Sequence, residues 1–398
     1  MPSTPVPLPY HRAIVEHLQA EEQSLWQWFT SSDKRKDEGE GVRLDLLKST
    51  YRLESQAQPE LYGLANEVRE RMGLQCSLTL YQAQTSNSLN ASLAYLPGEA
   101  HVVLAGPVAS VLSENELRAV FAHELAHFLF FEMDGGANLI AADLLRAMAA
   151  DAGGIAAAES ARLHYLWTEI YADRWACHVS EDTTAAIAAL IKIETGVNQV
   201  NAESYLRQAD EIFAKGNVTT DHFSHPETYI RARALKLWAE QADDAQPEIE
   251  RMIEGGLNLN RLDLLAQRRA AKLTRHFIQQ LLLPQWFRTE AVLAHARQFF
   301  ADFDVDAQSV PDGSIERELK TADSSLCDYL CYLMLDFVTV DRELGDVALA
   351  AALIQARRLG IHERFAELAQ KELSLGKKAF AKIDKGAETL IARTEAAL

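Results

Sequence analysis

The sequence predicts a mainly α-helical protein that contains one small β-sheet and ends in an all-helical domain. Apolar residues recur at helical spacing over most of the 398 residues, as at Ile14, Leu18 and Leu25. Strand patterns are confined to residues 77–106, where apolar and polar residues alternate. After about residue 243 the pattern is helical almost to the end, which predicts the separate all-helical domain.

The length predicts two or three domains, at about 100–200 residues each. We place boundaries near residues 58 and 243, where the pattern changes character. This gives an N-terminal helical segment over residues 1–58, a central domain over residues 59–242 and a helical C-terminal domain over residues 243–398.

Charge and hydropathy exclude several classes of partner. The net charge of -18 argues against a nucleic-acid partner, because phosphate binding needs a basic surface. No long uncharged apolar stretch predicts a membrane span, and the first residues lack the pattern of a secretory signal. Since the four cysteines are scattered, we interpret them as reduced core thiols and expect a cytoplasmic protein.

The predicted sheet region has three strands. Residues 77–83 alternate, and residues 88–96 and 101–106 form two strands joined by a turn at Pro97-Gly98. Residues 44–53, LDLLKSTYRL, are predicted to be helical.

A capping box marks the start of the helix that follows the strands. Ser113 is the N-cap residue, and Glu116 stands three positions later, before an apolar run. We therefore predict a helix from near Glu114 to about Met133.

This helix contains the string His123-Glu124-Leu125-Ala126-His127, an HExxH sequence. Residues four apart lie on one helix face, so one metal ion can bind both imidazoles. Glu124 is then placed to take a proton from metal-bound water. The alternative is a core helix that carries two hydrogen-bonded histidines.

A catalytic zinc ion needs three protein ligands, and a later helix offers the third. In the segment TEIYADRWAC, Glu169 and Asp173 are four apart and face one way amid apolar residues. We predict that Glu169 is the ligand and that Asp173 accepts the ring N–H of a ligand histidine, His123. An acid pair among apolar neighbours would be costly to bury without a cation. The competing third ligands are Glu159, His164 and His178.

Four pieces in order carry a family resemblance. They are Asn90-Ala91 in a strand, the Asn-Glu-Leu and HExxH helix at 115–127, the Glu-x-x-Ala-Asp segment at 169–173, and Ser-His-Pro followed by arginine at 224–231. Together they resemble the M48 peptidases, which include the prenyl-protein CAAX protease and HtpX, over about residues 60–240.

The resemblance implies an α+β zincin-like domain of the gluzincin type that acts as a metalloendopeptidase. Zinc would be held by His123, His127 and Glu169, and Glu124 would be the general base. Peptide bonds would be hydrolysed by Glu-assisted attack of zinc-bound water.

The resemblance also implies supporting residues. His225 would stabilise the developing oxyanion, and Arg231 would hold a carboxylate of the site. The substrate would add as an extended strand along the sheet edge at Asn90 and Ala91. Many members embed the site between membrane helices; because no span is predicted here, the chain resembles a soluble branch whose substrates are peptides or proteins.

The C-terminal domain has a fainter resemblance to TerB-like helical domains over residues 322–373. Asp336, Asp341 and Glu343 stand where the acids of those domains would be, although Phe337 replaces the usual glycine. The alternative is a plain helical bundle that binds a protein partner or inhibits the enzyme. A latent or non-catalytic zinc-stabilised scaffold is thus the rival function, but zinc binding alone would not need Glu124.

Overall fold

A computed structural model of the chain describes residues 4–31, 33–84, 88–150, 154–216, 218–306 and 312–397. The chain divides into two compact units, Met1–Gly255 and Gly256–Leu398. The three-domain division remains a prediction. Within the described ranges, none of the helices has the length and apolar character that crossing a membrane requires.

The first unit holds a four-stranded mixed sheet. Its strands are β1 (Thr50–Arg52), β2 (Ser77–Ala83), β3 (Asn90–Leu96) and β4 (Glu99–Ala105). They lie in the order β1-β2-β4-β3, with β2 and β4 parallel and the other pairs antiparallel. The predicted turn between β3 and β4 is confirmed. β3 is an edge strand of the described sheet, in which it pairs with β4 alone.

One strand was predicted as helix. Residues 50–52 pair with residues 81–83 as β1, so the helical pattern predicted over 44–53 ends before Thr50. Tyr51 is exposed in this strand and Thr50 is buried. β-branched and aromatic side chains suit a strand that is buried on one face, and pairing with β2 decides the conformation here.

The rest of the first unit is built mainly of helices. They are α1 (Pro9–Glu21), α2 (Gln23–Thr30), α3 (Asp33–Ser49), α4 (Pro59–Arg71), α5 (Val108–Val111), α6 (Glu114–Glu132), α7 (Ala137–Ala150), α8 (Ile155–Ser180), α9 (Thr183–Thr195), α10 (Ala202–Phe213), α11 (Thr228–Gln241) and α12 (Gln246–Ile253). A mainly helical protein with one small sheet is therefore confirmed.

Helix α6 is the central element of this unit. Its predicted capping box is present: the Glu116 N–H donates to Ser113 Oγ, and the Ser113 N–H donates to the Glu116 carboxylate. The helix packs against α8, α9 and the sheet. Phe121, Leu125 and Phe130 are fully buried on its inner side, so the apolar core fixes which face of α6 remains open to the site.

The second unit is helical throughout the residues that the structure describes. Its helices are α13 (Leu264–Leu281), α14 (Glu290–Phe299), α15 (Ser314–Leu319), α16 (Ser324–Thr339), α17 (Gly345–Arg358), α18 (His362–Glu372) and α19 (Lys377–Glu395). Their core contains Phe277, Phe287, Phe337 and Phe365.

The acids of the TerB-like segment form no metal-binding group of three in the described part of this unit. Asp341 instead accepts the Glu343 N–H at 2.9 Å, as the cap of a short 3₁₀ turn. The TerB resemblance remains a prediction.

Replacing the α6 cap tests how far this helix start contributes to stability. Ser113→Ala should lower the free energy of unfolding by about 1 kcal/mol, because the Glu116 N–H loses its acceptor, Ser113 Oγ. Urea denaturation measures the loss. Ser110→Ala, at an exposed serine just before the helix, is the matched control, and equal losses in the two variants would contradict the capping account.

Candidate metal centre

Two imidazoles project from one face of α6. His123 and His127 are one turn apart, and their Nε2 atoms lie 3.3 Å from each other. The rings meet edge to face, with centroids 4.9 Å apart. The HExxH spacing therefore brings both nitrogens to one point, as the sequence predicts.

Helix α8 contributes a carboxylate at the same point. Glu169 Oε2 lies 3.3 Å from His123 Nε2, and Glu169 Oε1 lies 3.5 Å from His127 Nε2. The ligand atoms of the three residues all lie within 4.8 Å of one another. Across the described ranges, no other group of three His, Cys, Asp or Glu residues is close enough to hold a metal ion.

The alternative third ligands have other neighbours. Glu159 accepts hydrogen bonds from Arg162 at 2.8–3.1 Å. The His164 ring packs beside His11 at 5.2 Å, and the His178 ring packs against Trp175 at 5.6 Å. Geometry therefore favours Glu169 over all three.

One oxygen of the cluster lacks a hydrogen bond. Glu169 Oε2 is buried and accepts none from the described residues, although His123 and Arg231 lie 3.3 Å away. A buried carboxylate oxygen without a partner is costly unless a cation or proton satisfies it. The donor set of two imidazoles and one carboxylate thus fits a bound metal ion.

Two further charged residues, Asp173 and Arg231, orient the residues of the cluster. We call them the second layer. Asp173 Oδ1 lies 3.1 Å from His123 Nδ1, the nitrogen that faces away from the other ligands. Arg231 on α11 donates to Asp173 through Nε at 2.8 Å and through Nη2 at 2.6 Å. A carboxylate on the far nitrogen fixes the tautomer and orientation of a metal-binding histidine.

Burial and charge move the pKa values of these groups apart. Burial lowers the pKa of His123, but the contacts with Asp173 and Glu169 outweigh it and raise that pKa to about 10. Burial lowers the pKa of His127 to about 4. Burial raises the pKa of Glu169, but Arg231 and the two histidines outweigh it and hold that pKa well below its usual range. The carboxylate is therefore ionised, ready to bind a cation.

Glu124 lies beside the cluster in a different electrostatic environment. Its side chain is buried, and burial raises the pKa of its carboxyl to about 7. A main-chain hydrogen bond from Leu93 in the edge strand lowers the pKa in part. A carboxylate with a pKa near neutral can both take and return a proton at neutral pH.

His225 reaches the cluster from the loop before α11. Its Nε2 lies 3.5 Å from Glu169 Oε1, and its Nδ1 lies 2.9 Å from Ser224 Oγ. The neighbouring carboxylate favours a hydrogen on Nε2. Its side chain is 59% exposed, so this nitrogen can also meet a group that enters from solvent.

The cluster opens into a cleft of about 680 Å³. Residues 88–93, including the predicted edge positions Asn90 and Ala91, form one wall, and the loop with His225 and Pro226 lines it too. Every residue that the sequence places at the site therefore lines one cleft.

The sequence did not predict a role for one buried arginine. Arg162 on α8 is 3% exposed, and its Nη1 donates to the His222 carbonyl at 3.0 Å. It thereby ties the loop that carries His225 to the helix that carries Glu169. The spacing of three between Glu159 and Arg162 on an apolar helix indicates a local ion pair. The contact of Arg162 with His222, sixty positions later, could not be predicted from the sequence.

Residues 55–239, which contain all the residues of this site, match the model of peptidase family M48. This part of the chain belongs to family M48. A chloroplast protein of Arabidopsis thaliana, plastoglobule-localized metallopeptidase 48, is 28% identical over 199 residues, which covers 45% of this chain. The chain spans 57% of that relative's length.

No solved structure matches the chain significantly. The relative's name places that protein in the chloroplast, so the cytoplasmic location expected from the sequence remains a prediction for this M48 protein.

The buried arginine of the second layer should be a main source of stability. Arg231→Met leaves the Asp173 and Glu169 carboxylates without their cation, so the free energy of unfolding should fall by about 3–5 kcal/mol. Urea denaturation measures this loss. Arg233→Met is the matched control on the same helix: Arg233 pairs with Asp210 and Glu248 in half-exposed positions, where loss costs about 1 kcal/mol or less. Similar losses in both variants would contradict the assignment.

Proposed function

We propose that the M48 region is a zinc-dependent metalloendopeptidase that hydrolyses peptide bonds in peptide or protein substrates. The observation that carries the proposal is a buried carboxyl, Glu124, whose pKa is raised to about 7 beside a three-residue metal-binding cluster. Membership of a peptidase family supports it. A non-catalytic protein that used the metal only for structure would need the three-residue cluster but not Glu124.

The spacing of the cluster supports zinc as the metal. Zinc binds nitrogen and carboxylate oxygen at about 2.0–2.2 Å in tetrahedral geometry, so two ligand atoms of one ion stand about 3.3–3.5 Å apart. Here the two Nε2 atoms are 3.3 Å apart, and each lies 3.3–3.5 Å from a different oxygen of the Glu169 carboxylate. His123, His127 and Glu169 would hold the ion and leave a fourth position open.

Zinc held there would supply a Lewis acid that polarises the scissile carbonyl and acidifies water. Glu124 would then take the proton of the attacking water and deliver it to the leaving amine. A pKa of about 7 suits both transfers, because the carboxyl is neither strongly acidic nor fully protonated near neutral pH. The Leu93 main-chain bond would hold the carboxyl towards the strand on which substrate lies.

His225 would stabilise the negative charge that develops on the carbonyl oxygen. The tautomer with a hydrogen on Nε2 points a donor into the cleft, and the exposed ring can adjust to the substrate. Asp173 and Arg231 would act on the ligands: Asp173 orients His123, and Arg231 balances the two buried carboxylates.

The edge strand β3 would align the substrate. No described strand pairs with its outer side, and residues 88–93 line the cleft beside Glu124. A peptide that adds to this edge would gain main-chain hydrogen bonds and bring a carbonyl to the cluster. Asn90 and Ala91 would be the first positions that it meets.

Removing the proposed base should abolish chemistry and spare metal binding. Glu124→Gln should lower kcat for casein hydrolysis by about 10²–10⁴-fold, the usual contribution of a general base. Zinc content, measured by atomic absorption, should stay at one ion per chain. Glu114→Gln, at the exposed start of the same helix, is the control that should keep full activity. Full activity in Glu124→Gln would contradict the mechanism.

The ligand set can be tested by metal content. His127→Ala should lose zinc during dialysis that leaves wild-type protein loaded, because two ligands hold a zinc ion far less tightly than three. His178→Ala removes one of the alternative ligands and should retain zinc. If His178→Ala lost zinc and His127→Ala kept it, the assigned ligands would be wrong.

A further inference from the structure

One face of α6 forms the floor of the cleft along its whole length. Ala119, His123, His127 and Phe131 follow one another at intervals of four and all line the cavity. The metal cluster therefore lies in the middle of the cleft, with one end beyond Ala119 and the other beyond Phe131.

Helix α8 runs antiparallel to α6 and divides the cleft in the same way. Asp173 contacts His123, whereas Glu169 reaches both histidines, so later residues of α8 lie near earlier residues of α6. Ala176 therefore lines the Ala119 end, and Tyr165 lines the Phe131 end.

Helix α9 closes the Ala119 end. Lys192 donates to the Glu116 carboxylate at 2.8 Å, and Asn115 donates to Asp182 at 3.1 Å, which fixes α9 beside the first turn of α6. Ala186, Ala189, Leu190 and Ile193 repeat at three and four along α9, so a single helix face lines the cavity.

These elements form an apolar arm of the cleft. We define it by Ala119, Val120, Ala176, Ala189, Leu190 and Ile193. None of the six carries a charge or a side-chain polar atom, and three are alanines, whose small side chains leave room. Glu194, the residue after Ile193, also lines the cleft and is the charged residue at this margin of α9. The opposite end is lined by His164, Tyr165 and Thr168, which carry polar atoms.

We propose that the apolar arm is the subsite that selects a large apolar side chain, such as leucine or phenylalanine, in the substrate. This inference rests on the proposed peptidase function. One helix turn, about 5.4 Å, separates His123 from Ala119. Side chains on one face of an extended peptide are spaced by about 6.6–6.8 Å. The residue whose side chain enters the arm therefore lies at or next to the scissile bond.

Ala189 and Ile193 determine the size and polarity of the arm. Ala189 lines the cavity, so a larger side chain there takes up space that the substrate would otherwise occupy. Ile193 is only partly buried, so a charged side chain at this position can remain solvated. Substitution of Ala189 can therefore narrow the subsite, and substitution of Ile193 can introduce a charge there, each without the other.

Peptide binding tests the subsite without requiring turnover. The probes are fluorescein-labelled octapeptides of Gly and Ser with one central Phe, Ala or Glu. Against zinc-loaded Glu124→Gln protein, the Phe peptide should bind at least tenfold more tightly than the Ala peptide, as differences of a few methylenes in an apolar pocket allow. Adding Ala189→Leu should remove this preference, and adding Ile193→Lys should shift it towards the Glu peptide.

The matched control is Ala142→Leu, the same enlargement at the other end of the cleft, which should keep the Phe preference. Circular dichroism and zinc content establish that each variant is folded. Ile193→Lys keeps the test valid if Ala189→Leu does not fold. Equal binding of the Phe and Ala peptides, or an unchanged preference in folded Ala189→Leu and Ile193→Lys, would overturn the proposal.

Cleavage of a proteome-derived peptide library by wild-type protein separates this inference from the proposed function. Cleavage with an apolar preference at one position next to the cut supports both. Cleavage without such a preference overturns the subsite alone. Absence of cleavage, together with selective binding of the Phe peptide, overturns the peptidase function and leaves the subsite supported.

Discussion

The buried pairing of Arg231 with Asp173 is the interaction on which the site depends. The carboxylates of Glu169 and Asp173 are buried where α6 and α8 meet, and the imidazoles of His123 and His127 lie beside them. Such groups are stable in a core only when their charges are balanced. Arg231 supplies that balance from α11, with hydrogen bonds of 2.8 and 2.6 Å to Asp173 and a contact of 3.3 Å to Glu169.

The same pairing links three parts of the proposed function. It keeps Asp173 ionised and in contact with His123 Nδ1, which turns His123 Nε2 towards the metal position. It joins α11 to α8, and the loop before α11 carries His225. The Arg231 guanidinium pairs directly with Asp173 and Glu169, whereas burial dominates at Glu124 and raises its pKa to about 7. The proposed metal binding, oxyanion stabilisation and proton transfer would thus share one electrostatic support.

The sequence predicts those parts of the site that follow from helix periodicity. The HExxH spacing, the capping box at Ser113 and the interval of four between Glu169 and Asp173 each place side chains by local geometry, and the structure has them so. The meeting of Glu169 and Asp173 with the two histidines was predicted from what a zinc site requires, and the contacts of His225 and Arg231 were predicted through the family resemblance. This is why Arg231 was expected at the site, while Arg162 was not.

The parts that the sequence did not reveal depend on tertiary packing. The pairing of β1 with β2 overrides a helical pattern at residues 50–52. The apolar face of α9 looks in the sequence like an ordinary core face. The Lys192–Glu116 hydrogen bond fixes α9 beside α6, and this face therefore forms a wall of the cleft.

The central claim is that one zinc ion binds where α6 and α8 meet. Anomalous diffraction from crystals of the protein, recorded on both sides of the zinc absorption edge, tests it most directly. The account predicts one peak per chain, bonded to His123 Nε2, His127 Nε2 and a Glu169 oxygen at about 2.0–2.2 Å. A peak bonded to Glu159, His164 or His178, or no zinc in the cleft of protein crystallised with zinc, would contradict it.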